Sequence, residues 1–363
     1  MKILDRYIIK KFIVTFLFCL IAMTILVVVV DLSEKTDDFS KTGLTARQII
    51  EQYYFGFIPH IDAMLFPLFL FIAVIFFTSK MANKSEIVAI LSSGISFRRF
   101  LLPYFICGLF FSGFLWWVNQ YVLPPANMKW STFQAKYIDM NYGGYVNTAT
   151  ISNKHFKLDS FSYAGIGYYD TASKSGSNFF VQKFDSTALV YNLYAQGIRW
   201  DTSLSKWQLT QVRIRTINGL KHTLRDTTQM HVAYNFKPLD LKTDEYTKEQ
   251  LTTPELTNLI KLERMRGSED INSLILEKQS RNAIPFSVLV LTLIGGIIAS
   301  QKIRGGSGFH LAIGVIICIL YILVERFASV FSMKSQFNPV LAAWLPNLIF
   351  SGLAFYLYRK VPK

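Results

Sequence analysis

Phe12–Val30 reads FIVTFLFCLIAMTILVVVV, an apolar run without a charged residue, preceded by Lys10 and Lys11 and followed by Asp31. A helical run of this length crosses the roughly 30 Å hydrocarbon core of a bilayer at 1.5 Å per residue. It is too long for the apolar segment of a typical cleavable signal. Val27–Val30 also leads into Asp31-Leu32-Ser33 without a small-x-small cleavage site, so the run reads as a retained anchor. Similar runs recur, notably Phe66–Phe77 and Ala283–Ser300, and predict spans at about 9–30, 56–79, 100–123, 283–301, 309–331 and 338–358. Pro59 and Pro67 are expected to kink the second span, and Pro285 to mark the entry of the fourth. Trp116, Trp117 and Tyr121 suit an interfacial aromatic belt at the end of the third.

Composition agrees with a membrane protein. The 363 residues are 51% hydrophobic and 17% charged, against about 25% charged in soluble domains. A net charge of +14 would fit a nucleic-acid binder, but its placement argues for membrane topology. Lys2, Arg6, Lys10 and Lys11 precede the first span; Lys80, Lys84, Arg98 and Arg99 flank the second loop; Lys302 and Arg304 lie in the fourth, and Arg359, Lys360 and Lys363 close the chain. The other short loops balance their bases with Asp31, Glu34, Asp37, Asp38 and Glu51. Excess Lys and Arg mark the cytoplasmic face, so both termini are expected inside, with an even number of spans between them.

Between about 124 and 250 the chain turns polar, with short alternating stretches separated by Asp-Ser, Asn-Gly and Gly-Ser turns. Phe161–Ile166 is one such stretch, and Lys206–Arg215 is the clearest period-2 segment. An antiparallel sandwich, jelly roll or similar sheet outside the cytoplasm follows. Thr253-Pro254-Glu255-Leu256 reads as a helix start, with Thr253 as N-cap and Pro254 at the first helical position. Gly267 is expected to interrupt that helix, and Ser268-Glu269-Asp270 to begin another that enters the fourth span. The predicted organisation is therefore 1–123 for three spans, 124–250 for the β domain, 251–282 for a helical connector and 283–363 for three more spans.

Several chemistries are excluded. There is no P-loop, no His-Glu-x-x-His and no Gly-x-Ser-x-Gly. Gly305-Gly306-Ser307-Gly308 has no flanking strand and reads as a linker. Cys19, Cys107 and Cys318 fall within apolar runs and read as packing residues, with no disulfide framework or zinc spacing. His60 and Asp62 are two apart, off a common helical face, and read as a solvated interfacial pair. No metal site and no active site are expected.

The second loop is more informative. Ser85 is placed to N-cap a short helix at about 85–94, with Glu86 in its first turn, Ile87, Ile90 and Leu91 on one face, and Gly94 at its end. Such an amphipathic helix either inserts into a groove on a cytoplasmic partner or lies on the bilayer surface; periodicity alone admits both.

Ser85-Glu86-Ile87-Val88 through Ser93-Gly94-Ile95-Ser96, followed by Pro103, resembles the coupling-helix region of the lipopolysaccharide-export permeases LptF and LptG. Leu4-Asp5-Arg6-Tyr7-Ile8, the Pro59/Pro67 helix, Val122-Leu123-Pro124 and Thr253-Pro254-Glu255-Leu256 resemble the same family, in the same order over nearly the whole chain. The opening Leu-Asp-Arg-Tyr-Ile leans towards LptG. The resemblance implies an integral membrane, mainly α-helical protein, with six transmembrane helices arranged three and three around a periplasmic antiparallel β-jelly-roll-like domain.

It further implies a permease subunit in the inner membrane that extracts lipopolysaccharide and passes it through the β domain toward the outer membrane. The implied partners are a cytoplasmic P-loop ATPase dimer, a second permease subunit (a different chain or a second copy) and a periplasmic bridge protein. ATP and Mg2+ would act through the ATPase; this chain would bind no cofactor itself. Ser85, Glu86, Ile87, Ile90, Leu91 and Gly94 would form the ATPase-coupling site, with Glu86 as the acid facing the ATPase. Lys35, Lys41, Glu325 and Arg326 are the substrate-cavity candidates. Where the family carries basic residues near the outer end of the first helix, this chain has Val27–Val30 and then Asp31. Lys35 and Lys41 just beyond would reach a lipid phosphate or act as solvated loop charges. Glu325 and Arg326 would line the cavity, or pair structurally with a neighbouring helix. A receptor with a ligand-binding β domain, or a permease for another lipid or a lipoprotein, are the alternatives.

Overall fold

A computed structural model describes residues 3–138, 150–159, 161–170, 173–185, 188–219, 221–241, 247–266, 270–301, 306–335 and 337–360. Lys2, Lys302, Arg304, Lys363, Gly305, Gly267, Ser268 and Glu269 lie outside the described residues. Among those described, six helices are long and apolar enough to cross a membrane: Ile3–Lys41, Ala46–Asn83, Phe97–Ile138, Ile271–Ala299, Gly308–Lys334 and Pro339–Lys360. Three precede an antiparallel sheet and three follow it.

The helices are longer than the apolar runs that signal them. The first has 39 residues, about 59 Å at 1.5 Å per residue, so it extends well beyond the hydrocarbon. Nothing between Asp31 and Lys41 breaks a helix; the chain turns only where Gly43 adopts φ +67°. The second starts at a capping box, in which Thr45 and Gln48 bond each other's backbone N–H. It then widens into a π turn at Ile50–Tyr54 and continues through Pro59 and Pro67. The third passes its expected exit at 123. A π turn at Val118–Val122 precedes Pro124 and Pro125, and the helix runs on to Ile138. The fourth begins at Ile271 and includes residues expected of a connector.

The membrane-helix unit comprises Met1–Phe133, Glu249–Thr253 and Asn272–Lys363. Its core is unusually aromatic. Phe12 and Phe16 of the first span pack on Phe66, Phe77, Tyr104 and Phe111 of the second and third. Gly56 makes one close crossing possible: a Cβ there would stand 2.6 Å from the Ala126 carbonyl oxygen and 2.7 Å from the Trp130 nitrogen. Small residues at such contacts let two helix backbones approach.

The second unit, Gln134–Lys248 and Pro254–Ile271, holds the sheet. Its strands are β1 (Thr150–Asp159), β2 (Ser162–Asp170), β3 (Ser175–Asp185), β4 (Ala188–Asp201), β5 (Lys206–Asn218) and β6 (Lys221–Val232), paired in consecutive order. One face buries Phe179, Val181, Leu193, Trp207 and Leu209 under Phe236, and Trp207 Nε1 donates to the Phe236 carbonyl at 2.9 Å. The alternation read in Lys206–Arg215 changes phase at one place. Trp207 and Leu209 are buried before Gln211, Val212 after it. Gln211 has φ +51°, and Asn153 and Asn178 hold comparable left-handed angles in β1 and β3. Gln211 stands beside Gln196, and Asn178 beside Gly167, in a row the ladder skips without losing register. The row creases the sheet and passes its inward face from one set of side chains to the other.

Candidate functional site

The loop between the second and third spans forms a helix at Glu86–Ser92. Ser85 occupies the N-cap position but does not cap it as expected: it takes a left-handed conformation (φ +59°) and its side chain makes no capping hydrogen bond. The turn is held by its backbone, with Ser85 N–H donating to Ala82 and Ala89 N–H donating to the Ser85 carbonyl. At the other end Gly94 adopts φ +86° and its N–H returns to the Leu91 carbonyl at 3.1 Å, an orphan-carbonyl closure that favours glycine.

The apolar face of this helix packs inward, with Ile87 buried and Ile90 and Leu91 half-buried. Ile87 is 1% exposed, and Ile90 and Leu91 pack on the same core as Phe12 and Phe77. Val88, Ala89 and Ser92 form the outward face. Glu86 turns towards the first span, accepting hydrogen bonds from Tyr7 Oη at 2.8 Å and Lys11 Nζ at 2.9 Å. Burial disfavours its ionised form, but these two donors outweigh burial and hold the Glu86 carboxyl below the usual carboxylate range. Nearby, Arg99 donates to the buried Asp5 at 2.6 Å. One ion pair thus ties the loop helix to the first helix and a second ties the start of the third span to it, each joining residues far apart in sequence.

At the opposite end of the first helix, Lys35 is not a solvated loop charge. It lies on the helix, 3.3 Å from Asp31, and donates to Tyr53 Oη at 2.5 Å, while Tyr53 donates to Asp31 at 2.9 Å. Asp31 is 7% exposed and Tyr53 fully buried among Phe39, Tyr54, Phe57 and Phe133. Lys41, in the last turn, is exposed. The i, i+4 spacing of Asp31 and Lys35 was visible in the sequence; Tyr53 as their third member was not.

Glu325 and Arg326 lie on the fifth span. Both line a mostly apolar cavity of about 200 Å3 shared with Met64 and Pro67 of the second span and Ile284 and Leu291 of the fourth. Arg326 is exposed and Glu325 half-buried. Among the described residues neither makes a hydrogen bond or ion pair to a neighbouring helix. The cavity therefore combines apolar walls with two side chains able to meet charge.

His60 and Asp62 do not act as a solvated pair. His60 Nδ1 lies 2.9 Å from Asn127 Oδ1, its ring stacked on Trp130, and Asp62 accepts from Thr24 Oγ1 at 2.7 Å. Their side chains diverge because two residues on a helix point about 200° apart. Among the described residues, no group of three or more His, Cys, Asp or Glu could hold a metal ion. Gly306–Gly308, read as linker, belong to the first turn of the fifth helix.

The family model for the lipopolysaccharide export system permease LptF/LptG matches residues 6–360. A comparison with curated proteins found no match. The chain belongs to the LptF/LptG family and is a multi-pass inner-membrane transport permease, not itself an enzyme.

Proposed function

We propose that this permease draws lipopolysaccharide out of the inner membrane into its periplasmic β domain, driven by a separate cytoplasmic ATPase dimer that docks on the loop helix. The observation that carries the reading is the double anchorage of that helix. Its inner face is packed on the membrane core, its outer face is free, and Glu86 links it to Lys11 of the first span. A partner pressing on Val88, Ala89 and Ser92 would move the start of the first helix with the loop, because the two are joined by charge-assisted hydrogen bonds. ATP and Mg2+ act through the ATPase, and this chain supplies the mechanical link. With both termini on the basic, cytoplasmic face, the sheet lies in the periplasm, where a bridge protein would receive the lipid.

On the substrate side, the cavity at Glu325 and Arg326 suits acyl chains along its apolar walls. Arg326 and Lys41 are the cations open to a lipid phosphate, whereas Lys35 is already engaged by Asp31 and Tyr53. A second permease subunit would complete the path. Purification of the protein from its native membrane in mild detergent tests the reading. Co-purification of a P-loop ATPase, a second six-span permease and bound lipopolysaccharide is expected. Recovery without any ATPase, from a preparation that keeps other transporters intact, overturns it.

A further inference from the structure

A second cleft lies away from the cavity just described. It holds about 480 Å3 between the third, fourth and sixth spans, walled by groups such as Leu102, Phe105, Leu289, Leu293 and Phe355. Arg98, at the start of the third span, is the one charged residue in its lining. The adjacent Arg99 is consumed by Asp5, but Arg98 makes no ion pair among the described residues. A second cation stands at the same end: the Arg359 guanidinium lies 4.7 Å from the centre of the Phe355 ring, itself part of the wall. Tyr358, which precedes Arg359 in sequence, also lines the cleft.

We propose that this cleft seats one anionic membrane phospholipid, with an acyl chain between the third, fourth and sixth spans and its phosphate held by Arg98 and Arg359. The apolar walls alone would accept any lipid tail, because hydrocarbon solvates every outward face of a membrane helix. The two guanidinium groups supply selection: they bind phosphate oxygens by paired, charge-assisted hydrogen bonds. Basic pockets between transmembrane helices are suited to acidic headgroups on the cytoplasmic side. Arg98 follows the loop helix and Arg359 closes the sixth span, so both belong to the basic end of the helices. A headgroup bound there would brace the third and sixth spans on the side from which the loop helix is anchored. No step of lipopolysaccharide transport is assumed, and the site is separate from the lining of Glu325 and Arg326.

The test is native mass spectrometry of the permease, purified with its partners and re-equilibrated with vesicles of phosphatidylglycerol or phosphatidylcholine. One phosphatidylglycerol is expected to remain bound per chain, with phosphatidylcholine retained at least about tenfold less. The double variant Arg98→Gln/Arg359→Gln is expected to lower phosphatidylglycerol occupancy about tenfold. Ser351→Phe, which fills the cleft and leaves both guanidinium groups in place, is expected to do the same. Equal retention of the two lipids, or unchanged occupancy in the double variant, overturns the proposal. So does a cross-link from Arg98→Cys to another subunit, which would make the cleft a protein interface.

Discussion

The first helix carries a lysine–carboxylate pair at each end, and the two are built differently. Lys11 and Glu86 meet at 2.9 Å with side chains 34% and 26% exposed, and they join elements distant in sequence. Lys35 and Asp31 meet at 3.3 Å within one helix, 20% and 9% exposed, and are locked by a fully buried tyrosine. Partly solvated pairs contribute little to stability and are easily exchanged, whereas buried pairs are costly to break from one side. Under the proposed function, the pair at the loop helix is the joint through which a partner's movement would reach the first helix. The pair under Tyr53 fixes the far end of the same helix.

That contrast is broken most severely at Tyr53. Tyr53→Ala empties a site surrounded by Phe39, Tyr54, Phe57 and Phe133, and is expected to destabilise by roughly 3–5 kcal/mol. Thermal unfolding of the purified permease measures it. Tyr53→Phe keeps the packing and loses only the hydroxyl between Lys35 and Asp31, for a loss of about 1–2 kcal/mol.

Next in size is Asp31→Ala, which leaves Lys35 largely buried without its carboxylate and should cost about 3 kcal/mol. The double variant Asp31→Ala/Lys35→Met removes both charges and is expected to recover much of that loss. A double variant no more stable than Asp31→Ala alone would show that Lys35 was never the group left stranded. It would also return Lys35 to the set of cations available to substrate.

Much of this architecture was legible in the sequence because bilayer thickness imposes a length on apolar runs. The spans signalled by Phe12–Val30 and Ala283–Ser300 correspond to helices in the structure. The polar continuations were hidden because Asp31–Lys41 is mostly polar, with only Leu32 and Phe39 apolar, although nothing there stops a helix either. The apolar run gave an exit at 123, but a π turn at Val118–Val122 precedes Pro124 and the helix continues through it. Strand alternation was visible in Lys206–Arg215, whereas the crease at Gln211 was not, since a glutamine carries no mark of a left-handed backbone. At the candidate site, Glu86 and Gly94 stood out by local spacing. Tyr7, Lys11 and Asp5 did not, because their partners lie in another element and only the folded packing brings them together.

At the loop helix the expected effects on stability are small and those on function large. Glu86→Lys places a cation beside Lys11 and should change unfolding stability by only about 1 kcal/mol. Under the proposed function it should abolish co-purification of the ATPase while leaving membrane insertion intact. Association at the wild-type level would remove Glu86 from the coupling role. Glu86→Gln keeps hydrogen-bonding capacity for Tyr7 and is expected to retain more ATPase than Glu86→Lys, by pull-down at equal permease loading.

The smallest expected effect is also the most specific to this pair. Burial disfavours the charged form of Glu86, but the hydrogen bonds from Lys11 and Tyr7 prevail, so its folded pKa is depressed. A depressed carboxylate contributes stability that is fully present above its ordinary pKa and is lost as pH falls through the folded value. Hydrogen exchange across Glu86–Ser92 should therefore be slow near neutrality, once corrected for the intrinsic pH dependence of exchange. Protection should fall below the ordinary carboxylate range. Lys11→Met removes the principal cation and should weaken protection at neutral pH while moving the remaining transition upward, towards the ordinary carboxylate value. The Asp31 end is the control: the same Lys11→Met change should leave exchange around Tyr53 unaltered. If both ends loosen together, the first helix moves as one rigid lever, and the Lys11–Glu86 pair is not an independent joint.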